Sequence, residues 1–374
     1  MVDPCARRLD VAWLGALGAL LLGCTLTRDV DRLKGGDRSP KDAATEPADR
    51  DMGRPTDASG AGGQGGTTGG TDGAADARMG GVDGPGAADG APDLGPRPPD
   101  TAPPAAPTAT ALFWVDSGTR TIHRAEIDGS GAQVLATLPQ GTYLRSIAVD
   151  SAGGQLYVTD SGGGKIFRAD LDGGNLRDLV LGLSDPVGLD LELERQQLYV
   201  VTQGATDGVF RANLDGSALE PVIASGLLNP YGIAIDGKGS KLYVIDNRAN
   251  AVFRANLDGS AFERLPIDGI STPIEIAFDP VDRKIYWGDY DPTPTIRRAN
   301  LDGTGVEEVV NRAKEPAFQT PIGVAIDPGA RKLYFIDGGT SGRDVIMRAE
   351  LDGSNLEVLV GSGLTDPRGM ALGF

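Results

Sequence analysis

Residues 111–374 predict an all-β fold, a ring of six four-stranded sheets, on three observations. Equivalent apolar segments begin at Leu112, Leu156, Leu198, Leu242, Ile285 and Leu333, at intervals of 44, 42, 44, 43 and 48 residues, and self-similarity at such a period marks a repeat architecture. Each copy divides into short runs of strand composition separated by turn residues, without helical periodicity. An Asp-Gly pair recurs once per copy, at Asp128, Asp172, Asp215, Asp258, Asp302 and Asp352, and Asp-Gly favours a tight hairpin turn.

The N-terminal region is of another kind. Arg7 and Arg8 precede an apolar run from Val11 to Leu22, too short for a spanning helix of about 20 residues but suited to a secretory signal. The run ends Leu21-Leu22-Gly23-Cys24, which resembles the lipobox of bacterial lipoproteins. That resemblance implies a signal peptide over 1–23, cleavage before Cys24, lipidation of Cys24 and a membrane held through the lipid. Thr25 follows where an Asp would retain a Gram-negative lipoprotein at the inner membrane, so the same resemblance implies the outer membrane, facing the periplasm or the surface. Each buried methylene of such an anchor contributes about 0.8 kcal/mol.

A tether follows over 24–110. From Gly35 to Thr110 the large apolar residues are Met52, Met79, Val82 and Leu94 alone, too few to build a core. Gly-Gly pairs between Gly62 and Gly70 favour flexible coil, and the Pro-rich stretch from Pro96 to Pro107 favours extended polyproline segments. A disordered spacer of this length separates its ends by roughly 50 Å.

Within each repeat, the opening run (Leu112-Phe113-Trp114-Val115-Asp116, or Ile285-Tyr286-Trp287-Gly288-Asp289) is followed by a segment such as Val252-Phe253-Arg254-Ala255-Asn256-Leu257 that enters the Asp-Gly turn. A third apolar run and a linker come next. The fourth strand then starts at Pro186, Pro230, Pro273, Pro321 or Pro367, with Leu144 in the first copy. Four short strands in each of six copies fit a six-bladed β-propeller, whose blades bury both sheet faces against their neighbours. Counted outward from the ring axis, the fourth strand of each repeat is the innermost strand of the next blade, so the last strand, from Pro367, is expected to complete the first blade beside Leu112–Asp116.

These repeats resemble the YWTD repeat, the class B repeat of low-density-lipoprotein-receptor proteins. The resemblance covers residues 111–374 and rests on six Arg-Ala-x-Leu/Ile-Asp-Gly segments in register. Tyr286-Trp287-Gly288-Asp289 is nearest to the signature, and the third copy, Leu198-Tyr199-Val200-Val201-Thr202, lacks its Asp. The resemblance implies that Asp116, Asp160, Asp246, Asp289 and Asp337 hydrogen-bond within and between blades.

Composition narrows the chemistry. With 35 Lys and Arg against 52 Asp and Glu the formal charge is -17, which disfavours nucleic acid as a partner. One His and two Cys leave no His-pair hydrolase, no disulfide framework and few zinc sites. His123 stands where the other copies carry Phe167, Phe210, Phe253, Arg297 and Met347, and is expected outward or at an edge. The Asp-Gly turns lack the spaced ligands of a calcium loop. Gly232 to Lys238 imitates a phosphate loop but carries Gly239 where Ser or Thr belongs. Asp289-Tyr290-Asp291 is a weak acidic pair. No catalytic residue, resident metal or cofactor is predicted.

The candidate site is the mouth where the loops entering each fourth strand converge. The residue after Pro is Arg145, Val187, Tyr231, Ile274, Ile322 and Arg368 in turn; the next is Ser146, Gly188, Gly232, Glu275, Gly323 and Gly369. Arg145, Tyr231, Glu275 and Arg368 are therefore the predicted binding residues, with Glu275 expected to pair with Arg145 or Arg368. The function expected is a monomeric, lipid-anchored, non-catalytic module that binds an unidentified protein or cell-envelope component. The alternative is a calcium-dependent hydrolase or lactonase, implied by other six-bladed propellers, with Glu275 beside Asn229 or Asp185 as the nearest ligand set.

Overall fold

The structure, a computed structural model, describes residues 105–290, 292–338 and 342–374. The signal segment, Cys24 and the tether as far as Pro104 lie outside the described residues. Among those described, twenty-four strands form six antiparallel four-stranded sheets. β1 (Ala111–Asp116), β2 (Thr121–Glu126) and β3 (Gln133–Thr137) belong to the first blade. The innermost strands are β4 (Leu144–Asp150), β8 (Pro186–Glu192), β12 (Pro230–Asp236), β16 (Pro273–Asp279), β20 (Pro321–Asp327) and β24 (Pro367–Gly373). They pack side by side around the axis in the order β24, β4, β8, β12, β16, β20, and β20 returns to β24.

The ring closes as expected. β24 pairs antiparallel with β1, with Leu112 opposite Leu372 and Trp114 opposite Met370, so the first blade is made from both ends of the repeat region. Thr110 N–H donates to Gly373 O at 2.7 Å, and Ser117 N–H to Asp366 O at 2.8 Å. Upstream, Ala109 N–H donates to Asp327 Oδ2 at 3.0 Å, and Gly329 N–H to Pro107 O at 3.1 Å. The chain therefore enters the ring along the end of β20.

The core lies between blades. All six residues of β1 are buried, because each face of a blade is covered by a neighbour, and the run is apolar rather than alternating. One cluster joins Trp114 and Met370 of the first blade to Tyr334 and Ile336 of the sixth. Burying each such side chain contributes about 1.5–3 kcal/mol. In the fourth blade the outer strand β15 shrinks to Glu263–Arg264, since Pro266 follows closely and has no N–H for a ladder.

The repeated Arg stitches blades together. Arg168, Arg211, Arg254 and Arg298 donate to the carbonyls of Leu214, Leu257, Leu301 and Leu351 in the following blade, at 3.4, 3.2, 2.8 and 3.0 Å. Arg348 closes the series on Ile127 O at 3.5 Å. Arg254 and Arg298 also bind Glu263 and Glu307 on the outer strand, each at 2.5 Å. The Asp-Gly glycines have φ between 77 and 86°, where a side chain is disfavoured. A Cβ on Gly353 would stand 1.8 Å from Val309 O of the preceding blade, so the turn needs Gly for space as well as conformation.

Candidate functional site

Each inner strand opens with a register shift after its first residue, as between Pro230 and Ile233 or Pro273 and Ile276. The extra residue of this β-bulge re-aims the side chains that follow. Around the axis, Arg145, Val187, Tyr231, Ile274, Ile322 and Arg368 meet with Glu275 about a cavity of ≈ 30 Å³, room for about one water. The four predicted binding residues therefore do come together. They form the floor of the mouth rather than an open surface: Arg145 is 8% exposed, Tyr231 7% and Arg368 4%.

The two arginines differ. Arg368 donates to Tyr143 Oη at 3.0 Å and pairs with Asp366 at 2.8 Å. Arg145 lies over the Tyr143 ring, 4.5 Å from its centroid, and Arg368 lies over the same ring at 5.8 Å. Burial raises the pKa of Tyr231, with Arg145 opposing the shift, so the phenol stays neutral at ordinary pH.

The expected ion pair of Glu275 with Arg145 or Arg368 is not formed. Glu275 lies on β16, across the ring from Arg145 on β4, and its Oε1 is 2.9 Å from where a Cβ of Gly232 on β12 would be. The carboxyl thus rests on the neighbouring inner strand instead of crossing the channel. The side chain is half-buried and keeps part of its surface open to the channel. Desolvation, opposed by an Ile276 N–H and reinforced by nearby Asp190, pushes its pKa up to about 8.

Asp190 is a residue the sequence reading missed. It occupies the fifth place of β8, where the other inner strands carry Ala148, Ala234, Ala277, Ala325 and Ala371; tabulating that place beside the Gly place would have exposed it. It accepts hydrogen bonds from Leu191 and Ile235 N–H, both at 2.8 Å. Burial pushes its pKa up to about 6.

The calcium set is not assembled. Asp185 and Asn229 sit in the loops before β8 and β12, where the Asp185 carbonyl accepts from Gln203 N–H and Asn229 N–H donates to Asp246. Neither lines the cavities that hold Glu275. The signature aspartates are structural. Asp160 accepts from Tyr143 and Gly163 N–H, Asp246 from Leu228, Asn229 and Ala249, and Asp337 from Gln319 and Thr320. Each ties the end of a strand to the loop entering its own blade. Thr202, in the copy without Asp, instead donates to Thr206 O at 2.7 Å. Asp289 meets Arg297 at 3.4 Å and Trp287 Nε1 at 3.2 Å, while Asp291 is outside the described residues. His123 stacks on Trp114 with centroids 4.9 Å apart and is hydrogen-bonded to Thr121.

No family model matches the chain. The low-density lipoprotein receptor-related protein 5-like protein of Homo sapiens is 29% identical over 133 residues, which are 35% of this chain and 52% of that protein. Low-density lipoprotein receptor-related protein 5 of Homo sapiens is 34% identical over 141 residues, 36% of this chain and 9% of that protein. The chain is homologous to the YWTD β-propeller region of these proteins. It spans about half the length of the first and a small part of the second. Among solved structures, a chain of the nidogen/laminin complex superposes with a TM-score of 0.62 at 20% identity, covering 71% of this chain and 98% of that one. TolB from Acinetobacter baumannii gives 0.56 at 11% identity, covering 71% and 66%. At those identities the likeness is one of fold.

Proposed function

We propose that the chain is a lipid-anchored cell-envelope protein whose propeller binds another protein through the mouth where the inner strands begin. The observation that carries this reading is Arg145: a cation in the floor of the mouth, set over the Tyr143 ring and in the field of Asp366, whose direct salt bridge goes to Arg368. A partner carboxylate entering there would gain a charge-assisted hydrogen bond at little cost in ordering, and buried Arg and Tyr are the residue types that dominate interface energies. The fold supports the same reading, since the nidogen/laminin complex names two proteins associated with one another. The lipobox-like end of the signal segment supports attachment through Cys24, and Thr25 beside it supports the outer membrane as the site.

Two measurements test the two halves. A photo-crosslinker at Leu228, 53% exposed beside the mouth, is expected to capture a partner in intact cells, and Arg145→Ala to abolish that product. Capture only from a crosslinker at Val281, on the opposite face, would overturn the assignment of the mouth. Labelling with a fatty acid is expected in the parent and lost in Cys24→Ser; an unlabelled parent would remove the anchor.

A further inference from the structure

The channel is sealed at the strand-start mouth but open at the other end. From that floor a cavity of ≈ 500 Å³ extends to the turns that follow the inner strands, within the range of small-ligand sites. Its walls are the inward faces of the six inner strands, largely apolar: Ile147, Ile233, Ile276, Val324 and Leu372 among them. Its rim exposes large apolar groups, with Leu193 39% and Phe374 45% accessible. A concave cavity lined mainly by apolar side chains, with a small number of placed polar groups, is the usual form of a binding site.

Two of those polar groups lie deep in the cavity. Asp190, from β8, bonds to Ile235 of β12, and Glu275, from β16, lies on Gly232 of the same strand. The carboxyls thus approach one inner strand from its two neighbours. Glu275 stands at a place that is Gly in four copies and Ser in one, and Asp190 at a place that is Ala in the other five, so neither is demanded by the fold. No Lys, Arg or His contributes to the environment of either. The cations that line the cavity, Lys238 and Arg283, lie on turns at its outer end, and Arg283 is taken by Asp236 at 2.7 Å. Glu192 and Glu194 add further negative charge at that end.

We infer that this cavity binds an organic cation, a primary ammonium on an apolar stem, with the ammonium between Asp190 and Glu275 and the stem against the channel wall. The chemistry admits two sources, a small alkylamine or a lysine side chain presented by a polypeptide. Burial, reinforced at Glu275 by Asp190, raises both carboxyls, Asp190 to about 6 and Glu275 to about 8, so Glu275 holds its proton at neutral pH; binding displaces that proton and strengthens as pH rises. This site opens on the opposite face from the proposed protein-binding mouth, so either can fail without the other.

The test is calorimetric titration of the full chain with hexylammonium and, separately, with a blocked Gly-Lys-Gly peptide, from pH 6 to pH 9. At least one probe is expected to bind with one site per chain and at least tenfold more tightly at pH 9 than at pH 6. Hexanol is expected to bind at least tenfold more weakly. Binding by the free amine alone indicates a small-molecule ligand, and binding by the peptide indicates a lysine side chain. Asp190→Asn with Glu275→Gln is expected to weaken the binding at least tenfold while the parent's pH dependence disappears. Failure of both probes at pH 9, equal affinity for hexanol, or a parent affinity independent of pH would overturn the inference, whether or not the double variant folds.

Discussion

The carboxylate of Asp116 accepts a hydrogen bond from the backbone N–H of Thr365 at 2.7 Å, joining residues 249 apart in sequence. Asp116 is fully buried and also accepts from Thr119 N–H at 3.0 Å. It therefore holds the loop that delivers β24 to β1. Truncation to Ala leaves those N–H groups unpaired, so Asp116→Ala is expected to cost about 2–4 kcal/mol in urea unfolding. Removal of Pro367–Phe374 takes away the whole inner strand and is expected to abolish cooperative melting; a truncated protein that melts like the parent would refute closure by this strand.

Gly353 provides a test of blade spacing. Ala there needs both an unfavourable positive φ and a displacement of Val309 O, and Gly353→Ala is expected to lower stability by about 2–4 kcal/mol. Gly141, at φ 90° with open space around a Cβ, is the control: Gly141→Ala meets only the conformational cost, about 1 kcal/mol. Equal losses in thermal denaturation would show that close approach between blades is not what selects Gly.

The interblade arginines predict a difference between Arg and Lys. Arg298 reaches Leu351 O at 3.0 Å, Tyr286 Oη at 3.3 Å and Glu307 at 2.5 Å at the same time. An ammonium cannot reproduce that fork. Arg298→Lys is expected to cost about 1–2 kcal/mol despite keeping the charge, read as a shift in the urea midpoint without a change in slope. A neutral substitution would show that the three contacts contribute nothing.

Glu275 sets a pH dependence of stability. Its folded pKa of about 8 lies above the ordinary glutamate value of 4.5, so between those values the folded state binds more protons than the unfolded chain. Stability is then lost as pH rises through that window and is unaffected by this group below it. The loss is about 1.4 kcal/mol for each unit between the two values. Asp190 adds the same sign over a window ending near 6. Glu275→Gln is expected to flatten the decline from pH 5 to pH 9 and to be more stable than the parent at pH 9. An unchanged slope in pH-dependent denaturation would refute the desolvation of this carboxyl.

Much of the fold was legible because a repeat announces itself: Leu112 and Leu333 mark equivalent strands, and the unmatched strand after Arg368 announced the seam. The mouth residues were legible as a set for the same reason, since aligning six copies stacks Arg145, Tyr231 and Arg368 at one level. Side-chain direction was not. Glu275 could be placed in the ring by its position, but the register shift after Pro273 and the space above Gly232 decide that it turns toward β12 and away from Arg145. The reach of Arg254 to Leu301 depends on how far one blade is staggered against the next, which no single repeat records. Asp190 was legible in principle, since it breaks a series of five Ala two places beyond the series that Glu275 breaks.

The pairing of Thr110 with Gly373 leaves the two ends of the ring side by side. Joining them through a short linker and opening the chain between Gly226 and Leu227 would yield a circular permutant with every strand neighbour retained. Its six sheets would each be continuous in sequence, with no sheet shared between head and tail. Comparing its unfolding rate with that of the natural order would measure how far the seam, as distinct from the contacts it contains, slows the opening of the ring.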